Sequence, residues 1–270
     1  MTGDFYIDFL YLIIYSFLGW IAEVIYCSIP NRHFINRGFL NGPLCPIYGF
    51  GALLVITILK PFSYHVLLVF IVGLVLTGLL EYITSFVMEK LFHARWWDYS
   101  KRKYNINGRV CLLNASLFGG LCVVTLFFIH PLIEQLVEAL SYIVVQTCAI
   151  LFIIIGTVDL TLTVQVVYNL NEKLEKLKEL SIEIKEHLDE KQLYIEERLE
   201  DRIILLRQNI QENKIKSKGL KRLSEEFHQI QENTRFIHRR LIKAFPKMES
   251  KKFQMQLKFI QAAIKNKQRK

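Results

Sequence analysis

The spacing of apolar residues divides the chain into a front part of long hydrophobic blocks and a polar back part. A membrane-spanning helix needs ~20 mostly apolar residues. Blocks that approach this length lie at residues 5–28, 44–59, 64–88, 112–129 and 142–168. The second block is short and is interrupted by Gly49 and Gly51. The pattern predicts about five transmembrane helices.

Beyond residue 169 the apolar positions change to a heptad spacing. Leucine and isoleucine occupy a and d positions between residues 170 and 210, and a second seam runs from 220 to 241. The polar stretch between the seams permits a hairpin, and the alternative is pairing between two chains. A last segment places four apolar side chains on one helical face: Phe253, Leu257, Ile260 and Ile264. The pattern predicts a C-terminal coiled-coil or helical extension.

Charge follows the same division. Residues 1–170 contain nine basic and nine acidic side chains, whereas residues 171–270 contain 25 and 16. The whole formal net charge of +9 therefore lies in the tail. The first 31 residues of the tail have a net charge of −5 and the remainder +14, which favours the hairpin. We expect two domains: a transmembrane bundle at 1–168 and a basic helical tail at 169–270.

The short loops predict the orientation of the bundle in the membrane. Loop 29–43 carries two arginines and no acid, and loop 89–111 carries six basic residues against two acids. The loops on the other side are nearly uncharged or acidic, and basic loops stay in the cytoplasm. We therefore expect the N-terminus outside and the tail in the cytoplasm.

Three carboxylates fall inside predicted spans, at Glu23, Glu81 and Asp159. A charge at bilayer depth costs at least ~2.5 kcal/mol, so such residues face a polar interior and have a partner. The arginines of the adjoining loop, Arg95 and Arg109, carry the opposite charge. We favour a cytoplasm-facing polar cavity that handles an ion, a proton or a polar headgroup. The alternative is a set of buried salt bridges that only fixes helix packing.

Two irregular segments lie on the predicted cytoplasmic side. Residues 38–51, which include Asn41 and Gly42, hold four glycines and two prolines. Irregular backbone at membrane depth lines a cavity or is buried in protein, and both interpretations stay open. Residues 95–109 add Trp97 and Asp98 to the two arginines. They form either an interfacial anchor, which we favour, or a lid that binds a phosphate or carboxylate.

Motifs for known enzyme chemistry do not occur in the sequence. There is no P-loop spacing, no H-E-x-x-H and no nucleophile elbow, so we assign no catalytic residue. The five cysteines include no C-x-x-C pair, and we expect reduced thiols without a metal or cofactor. The basic tail has few aromatics, which favours self-association or membrane lipids over nucleic acid as partners.

Several long motifs of the apolar part together resemble a known family. They are YSFLGWIAE at 15–23, GFLNGPLCPIYG at 38–49, Glu81, RWWDYS at 95–100 and NINGR at 105–109. In these motifs the chain resembles the bacterial family known as putative ABC-transporter type IV, or CmpB-like permeases. The resemblance covers roughly residues 5–170 and implies a multi-pass inner-membrane permease with a separate ATP-binding subunit.

The expected fold is all-α: a polytopic membrane helix bundle followed by a cytoplasmic helical extension. The leading function is a permease-like subunit whose cavity uses Glu23, Glu81 and Asp159 with Arg95 and Arg109. Two rivals remain. One is an intramembrane enzyme that modifies a lipid or headgroup, with the same acids as acid and base groups. The other is a non-catalytic envelope scaffold that works through its coiled coil.

Overall fold

The computed structural model describes residues 3–186, 236–246, 248–250 and 252–266. The chain divides into two compact units. The first, here the bundle unit, comprises Met1–Leu91 and Arg95–Val164, and the second, the tail unit, comprises Phe92–Ala94 and Gln165–Lys270. The domain boundary at residue 168, inferred from the sequence, stays a prediction.

The described residues are helical almost throughout. The α-helices are α1 (Phe5–Asn31), α2 (Pro46–Leu59), α3 (Val66–Phe92), α4 (Leu112–Val124), α5 (His130–Glu138), α6 (Tyr142–Glu186), α7 (Phe236–Ala244) and α8 (Gln254–Asn266). A 3₁₀ turn, Lys60–Phe62, follows α2, and a π-helical segment, Thr125–Ile129, joins α4 to α5. Two short strands, β1 (Asn105–Ile106) and β2 (Val110–Cys111), form an antiparallel hairpin.

All five predicted apolar blocks are helical. In the part of the chain that the structure describes, four helices are long and apolar enough to cross a membrane: Phe5–Asn31, Val66–Phe92, Leu112–Glu138 and Tyr142–Leu180. The remaining block, the second in the sequence, is a shorter apolar helix, Pro46–Phe62. It is short because residues 38–45 are irregular and the helix begins only at Pro46, whose ring suits a first helical turn. The predicted all-α membrane bundle is confirmed.

The hydrophobic core of the bundle unit lies toward the end where α2 turns into α3. We call this region the apolar half, and its buried side chains are Leu10, Tyr11, Tyr15, Leu53, Val55, Ile56, Leu59, Val69, Cys122, Leu126, Ile133, Val137 and Val145. The buried polar side chain of His130 lies beside them, with its Nδ1 atom 3.1 Å from the Tyr15 hydroxyl. At the surface of this half Lys60 forms an ion pair with Glu134.

Glycines allow the helices of the bundle unit to approach closely. A Cβ added at Gly49 in α2 would collide with the Ser16 hydroxyl and the Leu12 carbonyl of α1. A Cβ added at Gly119 in α4 would lie 2.9 Å from the carbonyl oxygen of Phe70 in α3. Lipid tails are as apolar as leucine, so membrane helices associate through such close packing and not through hydrophobic exclusion from water.

The tail unit forms a second small core. Leu170, Leu174 and Leu177 of α6 are buried, and the four apolar side chains predicted to share a face in the last segment are buried too. Lys252 forms an ion pair with Glu175 at 2.6 Å, so the segment before α8 lies against α6. Most of the predicted coiled-coil seam falls on residues 187–235, which lie outside the described residues.

Candidate functional site

In the structure the first irregular segment spans residues 32–45 and the second spans residues 95–111. Each carboxylate that the sequence places within a span contacts one of these two segments. The pairs are Glu23 with Arg37, Glu81 with Tyr99, and Asp159 with Asn41 and Gly42. The segments themselves meet where the ring of Phe39 packs edge-on against Trp96, with centroids 5.2 Å apart. All three acids therefore lie toward the same end of the bundle unit. We call this region, with residues 32–45 and 95–111, the polar half.

Glu23 has both a cation and a hydroxyl as partners. Its Oε2 atom is 3.5 Å from Nε of Arg37, and its Oε1 atom accepts a 2.7 Å hydrogen bond from the Tyr48 hydroxyl. Tyr48 stands on the first turn of α2 and covers Gly19 of α1, where no larger residue would fit. The ion pair and the hydrogen bond neutralise and fix this carboxylate, so Glu23 joins the first irregular segment to α1 and α2.

Asp159 fixes the backbone of the first irregular segment. Its two carboxylate oxygens accept hydrogen bonds from the N–H groups of Asn41 (2.9 Å) and Gly42 (2.8 Å). The Asn41 side chain also donates to the Thr163 hydroxyl, one turn further along α6. A Cβ at Gly42 would lie 3.0 Å from Asp159 Oδ2, so glycine keeps this approach open. Asp159 thus satisfies backbone donors that have no helix or sheet to pair with.

Glu81 is the most deeply placed of the three acids. Its side chain is on α3, it is 7% exposed, and its Oε1 atom accepts a 3.2 Å hydrogen bond from Tyr99. Its Oε2 atom is buried and has no hydrogen-bond partner among the residues that the structure describes. Glu81 therefore differs from Glu23 and Asp159, whose carboxylates have partners on both oxygens.

Tyr99 joins the second irregular segment to the helices. Its hydroxyl bonds to Glu81 and to Asn114 of α4, and the charge of Glu23 also acts on it. Burial, followed by the hydrogen bond to the Glu81 carboxyl group and the charge of Glu23, holds the pKa of Tyr99 above its ordinary value. The hydroxyl therefore stays protonated and donates its hydrogen. Glu23, Tyr48, Glu81 and Tyr99 converge in one place, which we call the polar cluster.

The two predicted arginines bind a carboxylate that sequence reasoning did not select. Arg109 is buried, and its Nη2 atom is 2.6 Å from Glu89 Oε2 while Nη1 donates to the Ser85 hydroxyl. Its guanidinium also lies over the rings of Tyr82 and Phe86, at 5.7 and 5.5 Å. This contact set suits a planar cation that can both stack and donate several hydrogen bonds.

Arg95 shares Glu89 with Arg109 and also approaches Asp98. Its Nε atom is 3.4 Å from Glu89 Oε2, and its Nη1 atom is 3.5 Å from Asp98 Oδ1. Burial alone would raise the pKa of Asp98, but hydrogen bonds from Ser100 and the charge of Arg95 outweigh it and hold that pKa below its usual value. Among the described residues, the ion pairs of both arginines are therefore with Glu89 and Asp98, not with the three acids of the spans.

The second irregular segment is a folded structure. The Trp97 indole N–H donates to the Arg109 carbonyl at 3.0 Å, and the Tyr99 N–H donates to the Gly108 carbonyl at 2.8 Å. Gly108 has a φ of +66°, and a Cβ there would collide with the Ser100 hydroxyl and lie 2.5 Å from Asp98 Oδ1. Glycine is needed at this position for both reasons. Whether the segment acts as a lid or as an anchor stays a prediction.

Sequence reasoning missed three residues of the polar half: Tyr48, Glu89 and Tyr99. Glu89 lies eight residues after Glu81 and four after Ser85, so helical spacing on α3 placed it on their face. Tyr99 stands within the RWWDYS motif, but no spacing indicates that it turns toward Glu81. Among the described residues, no group of three or more His, Cys, Asp or Glu side chains could hold a metal ion.

Comparison with known proteins identifies a family. A family model described as "Putative ABC-transporter type IV" matches residues 10–164, which include every member of the polar cluster. No curated protein and no solved structure shows significant similarity to the chain. The match covers more than half of the chain and lies almost wholly within the bundle unit.

Proposed function

Because the chain belongs to the family described as "Putative ABC-transporter type IV", we propose that it is a permease-like membrane subunit with its cargo path in the polar half. The observation that carries this proposal is the convergence of span-embedded acids on one end of the bundle unit, with Glu81 not fully paired among the described residues. Ionisable groups within spans are costly and usually mark a path for an ion or substrate.

In this proposal the nine residues selected from the sequence have two kinds of role. Glu81 and Glu23 face the cargo in a cavity that opens to the cytoplasm. The others position the walls of that cavity: Asp159, Asn41, Gly42, Arg95, Arg109, Trp97 and Asp98. Their contacts with backbone groups, Ser100 and Glu89 support a positioning role.

We also propose that the chain lies in a bacterial inner membrane with the polar half and the tail on the cytoplasmic side. The basic excess of residues 29–43 and 95–109 supports this orientation. Reporter fusions after Lys60 and after Lys270 test it. They should label opposite sides of the membrane. If both report the cytoplasm, the orientation or the path of α2 and α3 is wrong.

An ATP-driven permease requires an ATPase, and the 270 residues contain no P-loop motif. We propose a separate ATP-binding subunit as partner. The tagged full chain, purified from its native membranes with bound lipid, should carry such a subunit, identified by mass spectrometry, and the complex should hydrolyse ATP. Purification of the chain without any ATP-binding protein, under conditions that retain lipid, would argue for the enzyme or scaffold alternatives.

The role of the acids is tested in the same complex. Glu23→Gln and Glu81→Gln should abolish activity while leaving membrane insertion and abundance near normal. Glu134→Gln is the matched control, because it removes a carboxylate that is ion-paired at the surface of the apolar half and should leave activity unchanged. Loss of folded Glu23→Gln protein, with rescue by Arg37→Gln, would instead identify a structural salt bridge.

A further inference from the structure

The three acids of the spans differ in how their charge is compensated. Glu23 has the guanidinium of Arg37, and Asp159 has two backbone N–H groups and the hydroxyl of Thr163. Among the described residues, the hydrogen-bond donor to Glu81 is neutral: it is the Tyr99 hydroxyl, at 3.2 Å. Glu81 is also the only one of the three that is fully buried, at 7% exposure. Glu81, the acid whose charge has the least compensation from its partners, is therefore also the one furthest from solvent.

In the part of the chain that the structure describes, the groups that act on Glu81 do not supply a positive charge. From α1 the charge of Glu23 acts on it, and the Tyr99 hydroxyl binds it from the second irregular segment. From α4 the Asn114 side chain forms a hydrogen bond with Tyr99, and Tyr48 of α2 interacts electrostatically with Tyr99. One turn along α3, Ser85 receives its hydrogen bond from Arg109.

Arg109, which contacts this face of α3 through Ser85, already has its own partners. Arg109 directs Nη2 to Glu89 at 2.6 Å and Nη1 to Ser85 at 3.1 Å. An ionised Glu81 would therefore be a buried anion without a cation, with the anionic Glu23 nearby. Burial of an uncompensated charge costs far more than burial of a neutral carboxyl group, so the neutral form is favoured.

We infer that Glu81 is a proton-binding site, with the proton on Oε2 and Oε1 accepting the hydrogen bond from Tyr99. Loss of the proton leaves a carboxylate that Tyr99 alone would stabilise. The site can therefore bind and release one proton as its surroundings change. If the chain is a permease, as proposed above, this proton is an ion that moves with or against the cargo. The protonation itself does not depend on that function.

Infrared spectroscopy of the purified full chain in lipid nanodiscs tests this inference. A protonated carboxyl group absorbs in a region separate from carboxylate and amide bands. At pH 7 the parent protein should show such a band, and Glu81→Gln should remove it. Glu23→Gln is the control and should keep the band, because Glu23 is paired with Arg37 as a carboxylate. Absence of the band from the parent at pH 7, or its persistence in Glu81→Gln, overturns the inference.

Tyr99→Phe gives a second test that does not require Glu81→Gln to fold. This variant removes the hydrogen bond to Oε1, so the carboxyl band should move to higher frequency and persist to higher pH. An unchanged band overturns the assignment to Glu81. The result is also separable from the proposed function. ATP-dependent activity that needs Glu81, without a protonated carboxyl band, would contradict the proton site and support the permease. A protonated band on Glu81 without such activity would support the proton site and contradict the permease.

Discussion

The apolar and polar halves of the bundle unit are held together in different ways. In the apolar half, helices pack through glycines and aliphatic side chains, and the ion pair Lys60–Glu134 lies at the surface. In the polar half, carboxylates inside the helices hold two irregular segments through hydrogen bonds and ion pairs. Only the polar half contains a buried carboxylate oxygen without a partner among the described residues. The comparison separates the carboxylates whose oxygens all have partners from Glu81, which keeps a buried oxygen without a partner among the described residues.

The largest loss of stability is expected when Arg109 is replaced. Arg109→Gln removes the closer of the two arginines that pair with the half-buried carboxylate of Glu89, and it removes the stacking on Tyr82 and Phe86. Breaking a buried pair costs ~3–5 kcal/mol, and we expect the free energy of unfolding to fall by about that amount. Unfolding of the purified protein in mixed micelles measures it. Arg102→Gln, at an exposed position of the same segment, is the control and should change stability by less than ~0.5 kcal/mol. Equal effects of the two variants would contradict the buried role of Arg109.

A smaller but clear loss is expected for Asp159→Ala. The substitution leaves the N–H groups of Asn41 and Gly42 without their acceptor, at ~1–3 kcal/mol for each buried group. Because Asp159 is only partly buried, water should recover part of this cost, and we expect a total of ~2 kcal/mol. Glu134→Ala removes a carboxylate from the apolar half and should cost at most ~1 kcal/mol. If Glu134→Ala proves as destabilising as Asp159→Ala, the contrast between the halves fails.

The sequence was sufficient for the helices and for most residues of the polar half, but not for their partners. Long apolar blocks and embedded charges are one-dimensional signals, so Glu23, Glu81 and Asp159 could be found directly. Arg109 could be found as well, but its pairing with Glu89 depends on how the β1–β2 hairpin returns over α3. Which arginine pairs with which acid therefore depends on the three-dimensional fold and cannot be read from spacing along the chain.

Tyr99 shows a second limit of the sequence. Its neighbours Trp97 and Asp98 looked more informative, because tryptophan and charge are typical of interfaces. The turn that aims Tyr99 at Glu81 depends on Gly108, which accepts the Tyr99 N–H bond and leaves room for Asp98. Neither composition nor spacing along the chain carries that information.

Packing in the apolar half is tested by two adjacent glycines of α4. Gly119→Ala would place a methyl group 2.9 Å from the Phe70 carbonyl oxygen, whereas the same atom at Gly120 meets nothing within 4 Å. We expect Gly119→Ala to lower the unfolding free energy by ~1–3 kcal/mol. Gly120→Ala should be neutral or raise it by up to ~1 kcal/mol, because alanine favours a helix. The difference between the two thermal unfolding midpoints is the readout, and a difference near zero would mean that α3 and α4 do not pack this closely.

The smallest effect concerns the response of the second irregular segment to acid. The pKa of Asp98 is lower in the folded protein than in the unfolded chain, so its contribution to stability is present above the unfolded value of about 3.9. That contribution is lost as the pH falls through the folded pKa. Protease cleavage in the exposed run Lys101–Arg102–Lys103 should therefore increase in acid, measured with a protease that is active from acid to neutral pH. The Asp98→Asn variant should be cleaved faster than the parent at pH 7, and its cleavage rate should change little with pH. A cleavage rate that depends on pH as in the parent would contradict the role of the Asp98 carboxylate.

The stability of Glu81→Gln tests most directly whether the polar half contains an acid that is kept for function. Glutamine matches the shape of a neutral glutamic acid and still offers a carbonyl oxygen to the Tyr99 hydroxyl. The free energy of unfolding of Glu81→Gln in mixed micelles should therefore equal or exceed that of the parent, while activity is lost. A loss of ~3–5 kcal/mol, like that expected for Arg109→Gln, would show that Glu81 is an ionised structural group and would contradict the account.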